Sequence, residues 1–151
     1  MYLKNALISL FIFLPILGFS QIKIDDVGDG WKMKVDSAVS VIKNSDPDKY
    51  NILIENCKHV EFIIGDYSTT KPPDVIAITV KDMKRGSINN IAAILVHESY
   101  HLMLFNNHRI INANTEEKEA YVYEYDFLCK LPNVEDWLFL NAINMIIQYS
   151  K

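Results

Sequence analysis

The sequence predicts a small α+β domain in which two or three strands pack beside a central helix. Apolar residues recur at helical spacing over residues 31–44 and again beyond Asn112. Two short β-branched runs, residues 60–64 and 75–80, stand between those stretches and read as strands. Residues 88–105 are apolar nearly all round, as expected of a helix buried on every side.

A chain of 151 residues has room for one sizeable core, and 50% hydrophobic with 23% charged residues is an ordinary globular composition. The formal charge is −4 and the pI about 5.5. No Lys/Arg cluster of the kind a nucleic-acid footprint needs is present, so nucleic acid is not expected as a partner.

Residues 1–20 read as a signal peptide. Lys4 supplies the positive start, residues 6–19 the short apolar stretch, and Gly18 and Ser20 the small residues before a cut at Ser20/Gln21. A crossing needs about 20 apolar residues, so the stretch is short for a membrane span, although an uncleaved anchor is the competing reading. The expected product is a single exported domain, residues 21–151, periplasmic or secreted, with no membrane association once the signal is removed. Export bears on Cys57 and Cys129, which either bridge or remain two buried thiols; their spacing leaves both open.

Along the mature chain, residues 25–30 are turn-rich, with Gly28 and Gly30 beside acidic residues. Trp31, Val35, Ala38, Val39 and Ile42 make one face of a first helix. Asp46-Pro47 then caps and starts a second through Tyr50, Leu53 and Ile54. His59 is a lone histidine of the surface type. After the strand at 60–64, residues 67–74 read as a loop, and the strand at 75–80 leads through 81–87 into the central helix. A capping cluster at 112–115 starts the next helix, with Ala120, Tyr123, Phe127 and Leu131 as its apolar stripe. Beyond Pro132 a last helix, structural in role, is expected to bury Trp137, Leu140, Ile143 and Ile147, with Met145 beside them.

The chemistry sits on the central helix, as His97-Glu98-Ser99-Tyr100-His101. A four-residue step turns about 400°, so the two imidazoles lie one above the other on one face. That spacing lets both bind a single Zn²⁺ at about 2.0–2.1 Å, while Glu98 stands beside the ion as a general base for water. A buried helix otherwise gives two histidines and a carboxylate no reason to be there, since an uncompensated buried charge costs several kcal/mol.

The strand, the motif helix Ile-Leu-Val-His-Glu-Ser-Tyr-His-Leu and the export signal before them resemble the zincin metallopeptidases over roughly residues 60–130. The resemblance implies a zincin-like domain whose motif helix lies beside an edge strand that holds the substrate. It implies one zinc ion and hydrolysis of a peptide or protein. Leu104 and Asn107 stand where the metzincin branch has Gly and His, which leaves His108 a surface residue. The gluzincin branch takes its third ligand from a Glu three residues before a small residue on the next helix, which maps onto Glu117 and Ala120.

The residues alone leave Glu116 open as that ligand, because the two flank the Ala120 stripe on either side. Asn114 and Glu117 also fit a mere capping pair. Glu119 is poorly placed. Glu124, two turns beyond Glu117, is expected on a solvated face, with support of a ligand histidine as the alternative. Tyr100, Tyr121, Tyr123 and Tyr125 are the types that could stabilise an oxyanion, or simply pack. Two other functions stay open: a metal-binding module that does not turn over, and a helical structural protein without metal.

Overall fold

The computed structural model describes residues 22–151, so the signal peptide read in residues 1–20 lies outside the described residues. Four strands form one sheet in the order β1 (Lys23–Ile24), β2 (His59–Ile63), β4 (Val75–Thr79), β3 (Thr69–Lys71). β1 and β4 run parallel to β2, while β3 is antiparallel to β4 and forms an edge. The α+β class is as expected, with one strand more than the expected upper number. β1 has only two residues and β3 reads Thr-Thr-Lys, so neither carries apolar alternation; β3 falls in the stretch read as a loop.

Alternation orients the sheet. Val60, Ile76 and Ile78 enter the core with Val35, Ala38 and Ile42 of α1 (Trp31–Ser45) and Leu53 of α2 (Pro47–Asn56). On the other face His59 Nε2 lies 2.8 Å from Asp25 Oδ1, and Glu61 pairs with Lys71. His59 is therefore a half-buried residue hydrogen-bonded to Asp25.

After β4 the chain makes a short helix, α3 (Val80–Arg85), where the sequence reading had extended the strand by one residue and left a connection. Thr79 Oγ1 caps α3 by accepting from the Asp82 amide at 3.0 Å. The Asp82 carboxylate in turn accepts from Thr79 Oγ1 at 2.7 Å and Ser68 Oγ at 2.8 Å, which ties α3 to the loop before β3. Lys34 Nζ closes the other end of α3, donating to the carbonyls of Met83 and Gly86.

The central helix, α4 (Ile88–Asn106), matches its predicted span to within a residue. The Ser87 hydroxyl caps it by accepting from the Asn90 amide, and Ile91, Ala92, Leu95, Val96 and Leu102 are fully buried along it. It packs against α1, α2, α5 (Ala113–Leu128) and the β3–β4 hairpin. Asn112 caps α5, accepting from the Thr115 amide at 2.9 Å.

The last helix, α6 (Asp136–Gln148), is phased differently from the sequence reading. Leu138 and Ala142 are its buried residues, while Trp137, Leu140, Ile143 and Ile147 are 51%, 60%, 38% and 54% exposed. Residues 137–150 hold no charged side chain, so only the uncharged Asn141, Asn144 and Gln148, spaced along one face, mark the outer side of the helix. Cys57 is buried and Cys129 exposed, both as free thiols. Among the described residues, no helix is long and apolar enough to cross a membrane.

Candidate metal centre

The i, i+4 spacing on α4 brings His97 and His101 together with their Nε2 atoms 3.2 Å apart. Glu117, in the second turn of α5, faces both. Its Oε2 lies 3.7 Å from His97 Nε2 and its Oε1 lies 3.6 Å from His101 Nε2. The outward nitrogens are each taken by a carboxylate. His97 Nδ1 donates to Glu124 Oε2 at 3.0 Å, and His101 Nδ1 donates to Glu116 Oε1 at 2.7 Å. A proton held on Nδ1 leaves the lone pair on Nε2, so both rings aim an acceptor at the same point.

The donor set fits a divalent ion. Two ligands at about 2.0–2.1 Å from a tetrahedral ion stand about 3.4 Å from each other, close to the 3.2 Å between the two Nε2 atoms, and each Nε2 has a different Glu117 oxygen at 3.6–3.7 Å. The nitrogen and carboxylate ligand atoms of His97, His101 and Glu117 all lie within 4.8 Å of one another. Two imidazoles and one carboxylate are thus a donor set that could hold a metal ion.

Without an ion the charges lean on one another. Burial pushes the His97 imidazolium down, but the Glu117 and Glu124 carboxylates outweigh it and raise the pKa to about 10. His97 in turn holds the Glu117 carboxyl below its usual range. Glu98, 7% exposed, has its pKa raised by burial, against the lowering effect of both histidines.

One expectation needs correction here, and two carboxylates left open are placed apart. Glu124 does not sit on a solvated face: it is 6% exposed and holds His97. Glu116 does not share the ligand position with Glu117, because its carboxylate reaches the far nitrogen of His101. Glu119 lies outside the set and accepts from the Tyr100 hydroxyl at 2.6 Å.

A cleft of about 1070 Å³ opens over the three residues, and Glu98 lines it. Its walls are residues 66–70, which include part of the β3 edge, the N-terminal half of α4, and α6 through Trp137, Asn141 and Met145. The last helix thus does more than pack. Of the four tyrosines singled out by type, only Tyr121 lines the cleft, its ring centroid 4.4 Å from that of His97. Tyr100 packs with Leu104, Ala120 and Tyr123 elsewhere, and Tyr125 packs edge-on to Phe139. Tyr149 stacks on Tyr121 at 6.1 Å and also lines the cleft. Nothing in the sequence near Tyr149 signals this, since it follows the last helix in a stretch without a motif. His59 and His108 are not in the cleft wall.

Compared with family models, curated proteins and solved structures, the chain matches none of them.

Proposed function

We propose that this chain is an exported zinc metallopeptidase of the gluzincin type, with His97, His101 and Glu117 as metal ligands and Glu98 as general base. One observation carries the proposal: two inward-facing Nε2 atoms and one carboxylate converge, each imidazole braced from behind, in the cleft that Glu98 also lines. Without an ion the cluster holds a proton on His97 between carboxylates, and an ion shared by the two Nε2 atoms and Glu117 would take that proton's place.

A divalent ion held there would supply a Lewis acid that activates water and polarises the scissile carbonyl. Glu98 takes the proton of the attacking water as the C–O bond forms and returns it to the nitrogen as the C–N bond breaks. Burial suits it to this role, since a carboxylate with a raised pKa is the stronger base. Glu116 and Glu124 keep the two rings in the productive tautomer. Tyr67, Tyr121 and Tyr149 line the cleft, and of these Tyr121, packed on the His97 ring, and Tyr149, stacked on Tyr121, are the candidate donors to the oxygen that gains negative charge. The unpaired edge of β3 offers backbone groups to an extended peptide. Export by residues 1–20 belongs to the same proposal.

Glu98→Gln tests it. The side chain keeps its shape and loses its basicity, so hydrolysis of an unfolded protein should fall at least about 100-fold while zinc remains bound. A variant that still hydrolyses at the original rate, or that loses the metal, contradicts the assigned role.

A further inference from the structure

Lys and Arg side chains line the cleft only at its α3 end. Lys81 and Arg85 sit four apart on α3, on one face of it, and both line the cleft. Neither makes a hydrogen bond or ion pair among the described residues, although most other cations are committed: Lys32 to Asp36, Lys49 and Lys130 to Asp46, Lys71 to Glu61.

A helix C-terminus ordinarily accounts for basic residues in its last turn, but Lys34 already serves the α3 carbonyls from outside. Two carboxylates share this end. Asp82 is engaged by the Ser68 and Thr79 hydroxyls and sits in the first turn of α3, where it answers the helix dipole. Asp66, which also lines the cleft, has no hydroxyl partner among the described residues.

At the other end of the cleft stand Glu98, Glu116, Glu117 and Glu124. The cleft is therefore polarised, with carboxylates and the proposed metal at one end and two uncommitted cations at the other. A peptide carrying a carboxylate gains by placing it at the α3 end and is repelled from the Glu end.

We propose that Lys81 and Arg85 form a subsite for an acidic side chain of an extended peptide substrate, fixing which way the peptide lies across the metal. The proposal rests on the peptidase reading of the same site. Spacing along α4 locates the subsite. Asn90, which borders the α3 end of the cleft, precedes His97 by seven residues, a rise of about 10 Å at about 1.5 Å per residue. An extended peptide covers that in about three residues. The preferred substrate carries Asp or Glu about three residues from the cleaved bond, on one side of it only.

The test uses fluorescent nonapeptides of Ala and Gln in which a single Glu is moved through every position. Binding is measured on zinc-loaded Glu98→Gln protein, so that the peptides survive. One register should bind about fivefold tighter than the all-neutral peptide, the range of a well-placed exposed ion pair. The preference should shrink at high salt and vanish in Lys81→Gln/Arg85→Gln, while neutral-peptide binding stays unchanged. A preference that survives in the double variant, or no preference at any position, overturns the subsite. Hydrolysis of the same peptides by the unsubstituted protein is scored separately. Acid-selective binding without cleavage upholds the subsite and removes the peptidase reading; cleavage without acid preference does the reverse.

Discussion

Replacing Glu124 or Glu116 tests how the site is braced, because neither carboxylate is a ligand yet each holds the nitrogen behind one. Support of this kind is worth about 10–100-fold in metal affinity. Glu124→Ala and Glu116→Ala should each weaken zinc binding within that range in competition titrations, and Glu117→Ala should weaken it further. Equal losses in all three would mean that ligand and support were misassigned. Protons compete for the same atoms. The metal-free His97 pKa lies near 10, above the unfolded value of about 6.5. Its proton therefore stabilises the metal-free fold fully below about pH 6.5, and that stabilisation is lost as pH rises through about 10. Zinc loading at pH 7.5 must expel it, so calorimetry in buffers of differing ionisation enthalpy should report about one proton released per ion. No proton release would contradict the His97 geometry. Of these residues the sequence yielded His97, Glu98 and His101 outright, because i, i+4 periodicity on one helix is a local property. Glu117 came only through a family resemblance. The partner of Glu124 depends on how α4 and α5 cross, which no local pattern encodes.

Polar residues on the outer face made the buried stripes of α1 and α5 legible, while the short polar α3 was read as a connection. α1 and α5 bury the stripes expected of them, whereas α6 has no charged residue after Asp136 and its phase was read wrongly. β3 was missed for a related reason: a three-residue Thr-Thr-Lys strand owes its conformation to pairing with β4, not to its own pattern. One contact holds two helical elements together at a single carboxylate. Asp46, 2% exposed, caps α2 through the Lys49 amide and receives Lys130 Nζ at 2.8 Å from beyond the end of α5. Asp46→Ala removes both the cap and the pair, and urea unfolding should show a loss of about 2 kcal/mol. Burial pushes the Asp46 pKa up, but Lys130 and Lys49 prevail and hold it below the ordinary Asp value of 3.8. Its stabilisation is thus present above that value and lost as pH falls through the lowered one. Acid unfolding of the variant should accordingly begin from lower stability and show a weaker pH dependence below about pH 4. An unchanged urea midpoint would show that Asp46 holds nothing.

At the scale of the molecule, the candidate site belongs to no single element. α4 gives two of the proposed ligands and the proposed base, α5 the proposed third ligand and both supports, and the cleft is walled by residues 66–70, α3 and α6. An ion joining α4 to α5 would bind the folded chain and not the unfolded one. Loading at about a thousand times the dissociation constant should then add about 4 kcal/mol of stability, and a chelator should remove it. That coupling makes metal stoichiometry the most direct measurement. Equilibrium dialysis of residues 22–151 against zinc, followed by elemental analysis, should find one ion per chain, with Glu117→Ala folded but far weaker in binding. A folded wild-type domain that takes up no zinc, or a Glu117→Ala domain that binds it as tightly as wild type, would contradict the account.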